Sequence, residues 1–169
     1  MSVASQDVRL RPYGEHDLPL LRALLGDAEM MHFLGGPESE EALAVRHERY
    51  LASDSRTSGL FTVLVGDKPV GWVGFWQSEW EGSVQWECGW HVMSEYQRQG
   101  VASAAVRLLL DEAHSRNAHR YIDAFPALAN VASNALCRRL GFCDLGEADV
   151  EYPKGRMMRA RHWRFDLEV

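Results

Sequence analysis

The chain has 169 residues, enough for one domain with a substantial core and short of what two large domains need. Apolar residues make up 46% and charged residues 25%, an ordinary globular balance, and no apolar run reaches the length of a membrane span. Eighteen Lys and Arg against 24 Asp and Glu leave a net charge of -6, which argues against nucleic acid as the main partner, because phosphate backbones call for basic stripes.

In chain order, residues 1–7 lack the basic and apolar parts of a signal peptide, so a cytoplasmic protein is expected. Residues 8–13 read as a short strand ended by Pro12 and Gly14. A helix is predicted over 17–25, with Asp17 as a possible N-cap, Pro19 in the first turn and Gly26 at the stop. A second helix is predicted over 37–52, with Glu38, Glu40 and Glu41 near its positive end. Between them lies an apolar stretch, Met30-Met31-His32-Phe33-Leu34, closed by Gly35-Gly36.

The middle of the chain is β-rich. Strands are predicted over 60–65 and 70–77, joined by a turn at 66–69 to form a hairpin. A polar loop at 78–83 leads to a longer strand over 84–93, whose alternation puts Trp86, Cys88, Trp90 and Val92 on one face and Glu87, Gly89, His91 and Met93 on the other. Val101, Ala104, Ala105, Leu108 and Leu109 then recur at helical spacing to about residue 114. A short strand at 121–125, a helix at 130–140 stopped by Gly141, and strands near 143–150 and 157–167 complete the chain. The order β-α-α-β-β-β-α-β-α-β-β in a single domain over 1–169 implies an α/β or α+β fold with helices on both faces of a mixed sheet. Cys88, Cys137 and Cys143 are odd in number without a C-x-x-C spacing, and the seven histidines form no H-E-x-x-H pattern, so neither a disulfide framework nor a metal is expected.

The sharpest local feature is Tyr96-Gln97-Arg98-Gln99-Gly100-Val101-Ala102, between a strand and an amphipathic helix. The first amides of a helix lack internal partners, and their dipoles sum to a partial positive charge, so a diphosphate can bind there without a lysine. Gly100 leaves room for close approach. The plain reading is a glycine that starts a helix. No G-K-[ST] follows and no G-x-G-x-x-G occurs, which excludes a Walker loop and a dinucleotide fingerprint.

The run from Trp86 to Ala102 (W-E-C-G-W-H-V-M-S-E-Y-Q-R-Q-G-V-A) closely resembles the central motif of the GNAT acetyltransferases. Asn130 to Phe142 (N-V-A-S-N-A-L-C-R-R-L-G-F) is similar to that family's N-x-x-S/A helix with its closing Gly-Phe pair. The resemblance covers most of the chain and is strongest to the ribosomal-protein N-terminal acetyltransferase branch. It implies the GNAT fold, a mixed and mostly antiparallel sheet of about seven strands with a splayed parallel pair. It also implies acetyl-CoA as cosubstrate, with its arm along the main chain of His91, Val92 and Met93, and its pyrophosphate on the amides of Arg98, Gln99, Gly100, Val101, Ala102 and Ser103. Asn130 matches the asparagine that contacts the cofactor arm; its plain reading is a helix N-cap, and one residue can do both. Ser133 has the same two readings.

The implied chemistry is direct attack of a neutral amine on the thioester, with a strand N–H stabilising the developing oxyanion. Glu87 is the candidate general base, against the alternative of a solvated or salt-bridged strand residue. His91 is a candidate proton relay or a structural histidine. Where many of these enzymes carry an acidic tyrosine, seven residues after the asparagine, this chain has Cys137, read as a substitute acid or as a buried packing residue. Met31, Phe33 and Leu34 are candidates for a wall of the acceptor site, and Glu79, Glu81 and Glu87 for a negative field around it. The acceptor is expected to be a small-molecule amine or a protein N-terminus, with no nucleic acid, membrane or metal involved and a homodimer as one assembly. The competing expectations are an acyl-CoA-binding sensor or interaction module of the same fold with weak catalysis, and an unrelated α/β phosphate-binding protein.

Overall fold

The computed structural model describes residues 7–169, so the reading of a missing signal peptide at residues 1–7 lies almost wholly outside the described residues. The elements are β1 (Val8–Pro12), α1 (Leu18–Leu25), α2 (Glu40–Leu51), β2 (Ser58–Val65), β3 (Lys68–Trp80), β4 (Ser83–Val92), α3 (Val101–Arg116), β5 (Tyr121–Ala124), α4 (Val131–Leu140), β6 (Cys143–Glu151) and β7 (Met157–Asp166). The expected order of strands and helices is reproduced. The strands form one seven-stranded sheet in the order β1-β2-β3-β4-β5-β7-β6. Every neighbouring pair is antiparallel except β4 and β5.

Several boundaries move, each for a local reason. The polar loop expected at 78–83 shrinks to a two-residue turn, because Glu81 and Gly82 both adopt positive φ (49° and 80°), which matches the twist of a tight hairpin. The second helix starts at Glu40 rather than 37, because the Ser39 hydroxyl accepts the Ala42 N–H at 3.2 Å and caps it there. Asp17 stands at the N-cap of α1, yet its side chain does not cap the helix. Its carboxylate instead takes both guanidinium nitrogens of Arg11 (2.8 and 3.0 Å), the Gly14 N–H (2.8 Å) and the Thr62 hydroxyl (2.9 Å). Burial alone would raise the Asp17 pKa, but these donors outweigh it and hold the carboxyl below its ordinary range.

Strand alternation divides the core between the sheet's two faces. On one face Phe75, Trp86, Ile122 and Trp163 pack with Val106, Leu109 and Leu136 of α3 and α4. On the other, Trp72 packs under Leu20, Leu21, Leu24 and Leu43 of α1 and α2. No helix among the described residues is long and apolar enough to cross a membrane.

The parallel pair places the site. β4 and β5 pair only at Trp86↔Ile122 and Glu87↔Asp123. β4 then runs on to Val92, still fully paired to β3, while β5 ends at Ala124. The two strands part just after Glu87.

Candidate active site

A cavity of about 640 Å³ opens where β4 and β5 part. One side is the unpaired edge of β4, from Cys88 to His91, and facing it is the stretch from Ala124 to Ala127 that follows β5. Asn130 and Ser133 at the start of α4 also line it. Over the opposite sheet face, α2 contributes Arg46, Arg49 and Tyr50, and the turn after α1 contributes Met30, Phe33 and Leu34.

Glu87 is half-buried on the floor beside Trp76, its partner across the β3–β4 ladder. Burial raises its pKa above the ordinary carboxylate value, and the neighbouring Asp123 charge adds to the rise. Ser78, Trp76 and His162 pull the other way without cancelling it. Asp123 is itself buried (1% exposed), with the Arg164 guanidinium on both oxygens at 2.8 Å and the Gln85 amide as a further donor. His162 Nε2 lies 3.0 Å from the same carboxylate, off the hydrogen-bond direction, and its ring stacks on Phe125 at 4.6 Å. Burial pushes the Asp123 pKa up, but Arg164 and His162 bring it below the usual value. Glu87 therefore neighbours a fixed negative charge.

His91 lies on the same face, beside Trp72, with ring centroids 6.2 Å apart. Desolvation, reinforced by the Arg46 cation, lowers its pKa to about 4, so the imidazole is neutral at physiological pH and a weak base. Cys137 is wholly buried in the core on the α3–α4 face of the sheet and does not line the cavity, although its neighbour Cys88 does. Burial pushes its thiol up to about 12.

The helix-terminal device stands next to the cavity. α3 begins at Val101 behind Gly100, whose φ of 83° is left-handed, and no side chain caps the helix. The N–H groups of Val101, Ala102 and Ser103 thus open the helix without intrahelical acceptors. A Cβ placed on Gly100 would meet no atom of the described residues within 4 Å, so the space over the turn is open. Gln97 ties the turn to β4 through the Val92 carbonyl (2.9 Å), and Gln99 holds the Glu95 carbonyl (2.7 Å). Val92 and Val101 are core residues, so only their backbone is available to a ligand. Arg98 also takes a positive φ, 60°, and is exposed with Gly100. Met93 packs partly buried against the core of the α1–α2 face.

Asn130 caps α4 through the Ser133 N–H (3.1 Å) and lines the cavity as well, so the cap occupies its oxygen and leaves its amide group without a partner among the described residues. Of the expected acceptor wall, Phe33 and Leu34 reach the cavity, whereas Met31 is buried (1% exposed) in the core and Met30 takes its place. Glu79 and Glu81 do not line this cavity; Glu81 borders a smaller one beside Trp80 and Arg164.

Residues absent from the sequence reading are Arg46, Arg49, Tyr50, Tyr152 and Asn134. The first three follow i, i+3, i+4 spacing, the one available signal that they share a helix face. Asn134 locks the start of α4: its amide donates to the carbonyls of Ala127 (3.0 Å) and Asn130 (2.8 Å), and its oxygen accepts the Trp163 indole N–H (2.9 Å).

A family model described as an acetyltransferase (GNAT) domain matches residues 7–143. A search of curated proteins finds no match. Among solved structures, aminoglycoside acetyltransferase AAC(6')-Ib in complex with coenzyme A superposes with a TM-score of 0.77 at 19% identity, covering 94% of each chain. Spermidine N-acetyltransferase from Vibrio cholerae, in complex with CoA and spermine, gives 0.79 at 19% identity over 96% of this chain and 97% of that one. A ribosomal L7/L12 α-N-protein acetyltransferase in complex with coenzyme A gives 0.76 at 19% identity over 97% and 96%. At these identities the likeness is one of fold.

Proposed function

Since the chain belongs to the GNAT acetyltransferase family, we propose that it moves an acetyl group from acetyl-CoA to a primary amine by direct attack, with Glu87 as the general base. One observation carries this reading: the unpaired edge of β4 and the pKa-raised carboxylate of Glu87 share a single cavity. The residues fit the cosubstrate. The uncapped start of α3, with open space over Gly100, suits a pyrophosphate, and the backbone of Cys88 to His91 suits an amide-bearing arm. The free amide group of Asn130 and the hydroxyl of Ser133 offer polar contacts on the facing wall.

Acetyl-CoA, when bound, supplies the activated acyl carbon. The protein's part is to orient the amine, exclude water and move one proton. Trp72, Trp76 and Phe33 make the acceptor side largely apolar, which favours the neutral amine needed for attack. Glu87 receives the amine's proton directly or through water, its raised pKa brings it closer to the amine it must deprotonate, and the thiolate that leaves as the amide forms takes a proton from water. Backbone N–H groups on the unpaired edge of β4 are fixed dipoles for charge that develops on the acyl oxygen. Cys137, buried behind the sheet, serves packing in this scheme.

The test is release of free thiol from acetyl-CoA over a panel of peptide N-termini, polyamines and amino compounds, comparing wild type with Glu87→Gln. We expect kcat to fall about a hundredfold in the variant, with the KM for acetyl-CoA within about a factor of two. An unchanged kcat removes Glu87 from the mechanism. CoA binding without thiol release above hydrolysis for any amine removes the transferase reading.

A further inference from the structure

The acceptor half of the cavity carries charges of both signs on a largely aromatic surface. Its floor runs from the Glu87–Trp76 pair to the His91–Trp72 pair of the β3–β4 ladder. Those pairs are four residues apart on each strand, roughly 13 Å at the usual strand rise. Tyr50 stacks on Trp72 with centroids 5.4 Å apart and planes 11° from parallel, which pins α2 over the Trp72 end. The guanidinium carbons of Arg46 and Arg49 lie 5.7 and 5.8 Å from the Tyr50 ring centre, and both side chains line the cavity from α2.

The two arginines differ in what neutralises them. Arg46 is mostly buried, holds both carboxylate oxygens of Glu38 and donates to the Tyr50 hydroxyl at 3.1 Å. Arg49 is exposed and has no carboxylate within 4.0 Å among the described residues. Glu151, the remaining acid of the lining, accepts the Gly155 N–H at 3.0 Å and makes no ion pair with Arg49. The cavity therefore presents the Glu87 carboxylate on its floor, the Arg49 cation without a direct ion pair on its α2 wall, and aromatic plates beside them.

We infer that the acceptor is an amine that also carries a carboxylate, and that Arg49 is the residue selecting it. This rests on the transferase reading above. The acetylated nitrogen lies beside Glu87, the carboxylate pairs with Arg49, and the intervening atoms lie against Trp72, Trp76 and Tyr50. A polyamine is the opposite case, since it brings a second cation to a cavity wall that already holds one.

The test uses matched amines of one length that differ only in the distal group: carboxylate, carboxamide or ammonium. One series is built on free ω-amino acids and a second on short peptides with an acidic residue near the N-terminus, which separates a small-molecule source from a protein one. In wild type we expect kcat/KM for the carboxylate to exceed that for the carboxamide by about fivefold, the scale of a partly solvated ion pair. The difference should lie mainly in KM and shrink as salt is raised. Arg49→Gln brings the ratio to about one, Arg49→Lys restores part of it, and Arg49→Glu turns the preference toward the ammonium. Equal rates for carboxylate and carboxamide in wild type, or an unchanged ratio in Arg49→Gln, overturn the inference while the transferase reading stands. If no amine is acetylated, calorimetry of the same series against the CoA-saturated protein decides: carboxylate-selective binding lost in Arg49→Gln supports the inference without the transferase reading, and its absence overturns both.

Discussion

At the residue scale the site turns on opposite shifts in two neighbouring carboxyls. Burial and the Asp123 charge raise the Glu87 pKa, so base catalysis fails as pH falls through that raised value. Replacing Asp123 with Asn removes the adjacent charge, and the acid limb of the kcat profile moves to lower pH. A pH profile that stays in place dissociates Asp123 from the base. The same shifts set the pH dependence of stability. Glu87 binds its proton more readily folded than unfolded, so its contribution declines as pH rises from its ordinary value through the raised one. Glu87→Gln should therefore melt at a higher temperature than wild type at pH 7 while losing activity, and thermal denaturation checks it. Asp123, with its pKa lowered, contributes stability that is present above its ordinary value and lost as pH falls through the folded one. Asp123→Asn leaves Arg164 without its counter-ion and should cost about 3 kcal/mol in urea melts, the low end for breaking a buried pair, because Arg164 is partly exposed. Cys137 is the contrasting case. A buried thiol held at about 12 is not among the residues that line the cavity. Cys137→Ala should keep kcat within about threefold, far below the hundredfold or more of a lost acid, at a stability cost of about 1 kcal/mol for the small void.

At the scale of elements, the N-terminus of α3 does its work through backbone. Gly100 meets no protein atom that would exclude a side chain, so its left-handed φ and the open space above it are what a side chain would disturb. Gly100→Val should cost about 1–2 kcal/mol in strain and weaken CoA binding by more than tenfold in calorimetry; unchanged affinity removes the turn from the cofactor site. This element was legible in the sequence because it is local: a strand of period two, a glycine, then a helix of period 3.6. The face alternation of β4, with Trp86 and Cys88 opposite Glu87 and His91, was legible for the same reason. The cavity side of α2 was not. Arg46, Arg49 and Tyr50 share a polar helix face with no apolar signal to mark it, and it is the packing of Tyr50 on Trp72 of the sheet that turns it inward. The swap of Met31 for Met30 has a similar origin. The apolar run carries no period, so only the folded turn decides which methionine enters the core. Asp17 holds the expected N-cap position, but its carboxylate turns to Arg11 and Thr62, on strands that the helix signal does not mention.

For the molecule as a whole, the parting of β4 and β5 is the place where the central sheet gives up its own hydrogen bonds. The ladder is complete on the β3 side of β4, while the β5 side stops after two residue pairs. A ligand that pairs with the free edge and also holds the start of α3 joins the two halves of the sheet and binds the native state alone. Free CoA at about a hundred times its dissociation constant then adds about 2.7 kcal/mol. For a domain of this size each kcal/mol is worth about 2–4 °C, so the melting temperature should rise by roughly 5–10 °C. Pantetheine reaches the strand edge without the helix, and ATP offers phosphates without the arm, so each at the same concentration should shift the melt by less than half as much. Equal shifts with CoA and ATP would mean that the α3 turn binds phosphate by itself and that the gap beside β4 plays no part. No shift with CoA, under conditions where the protein unfolds reversibly, would leave the gap an irregularity of the sheet.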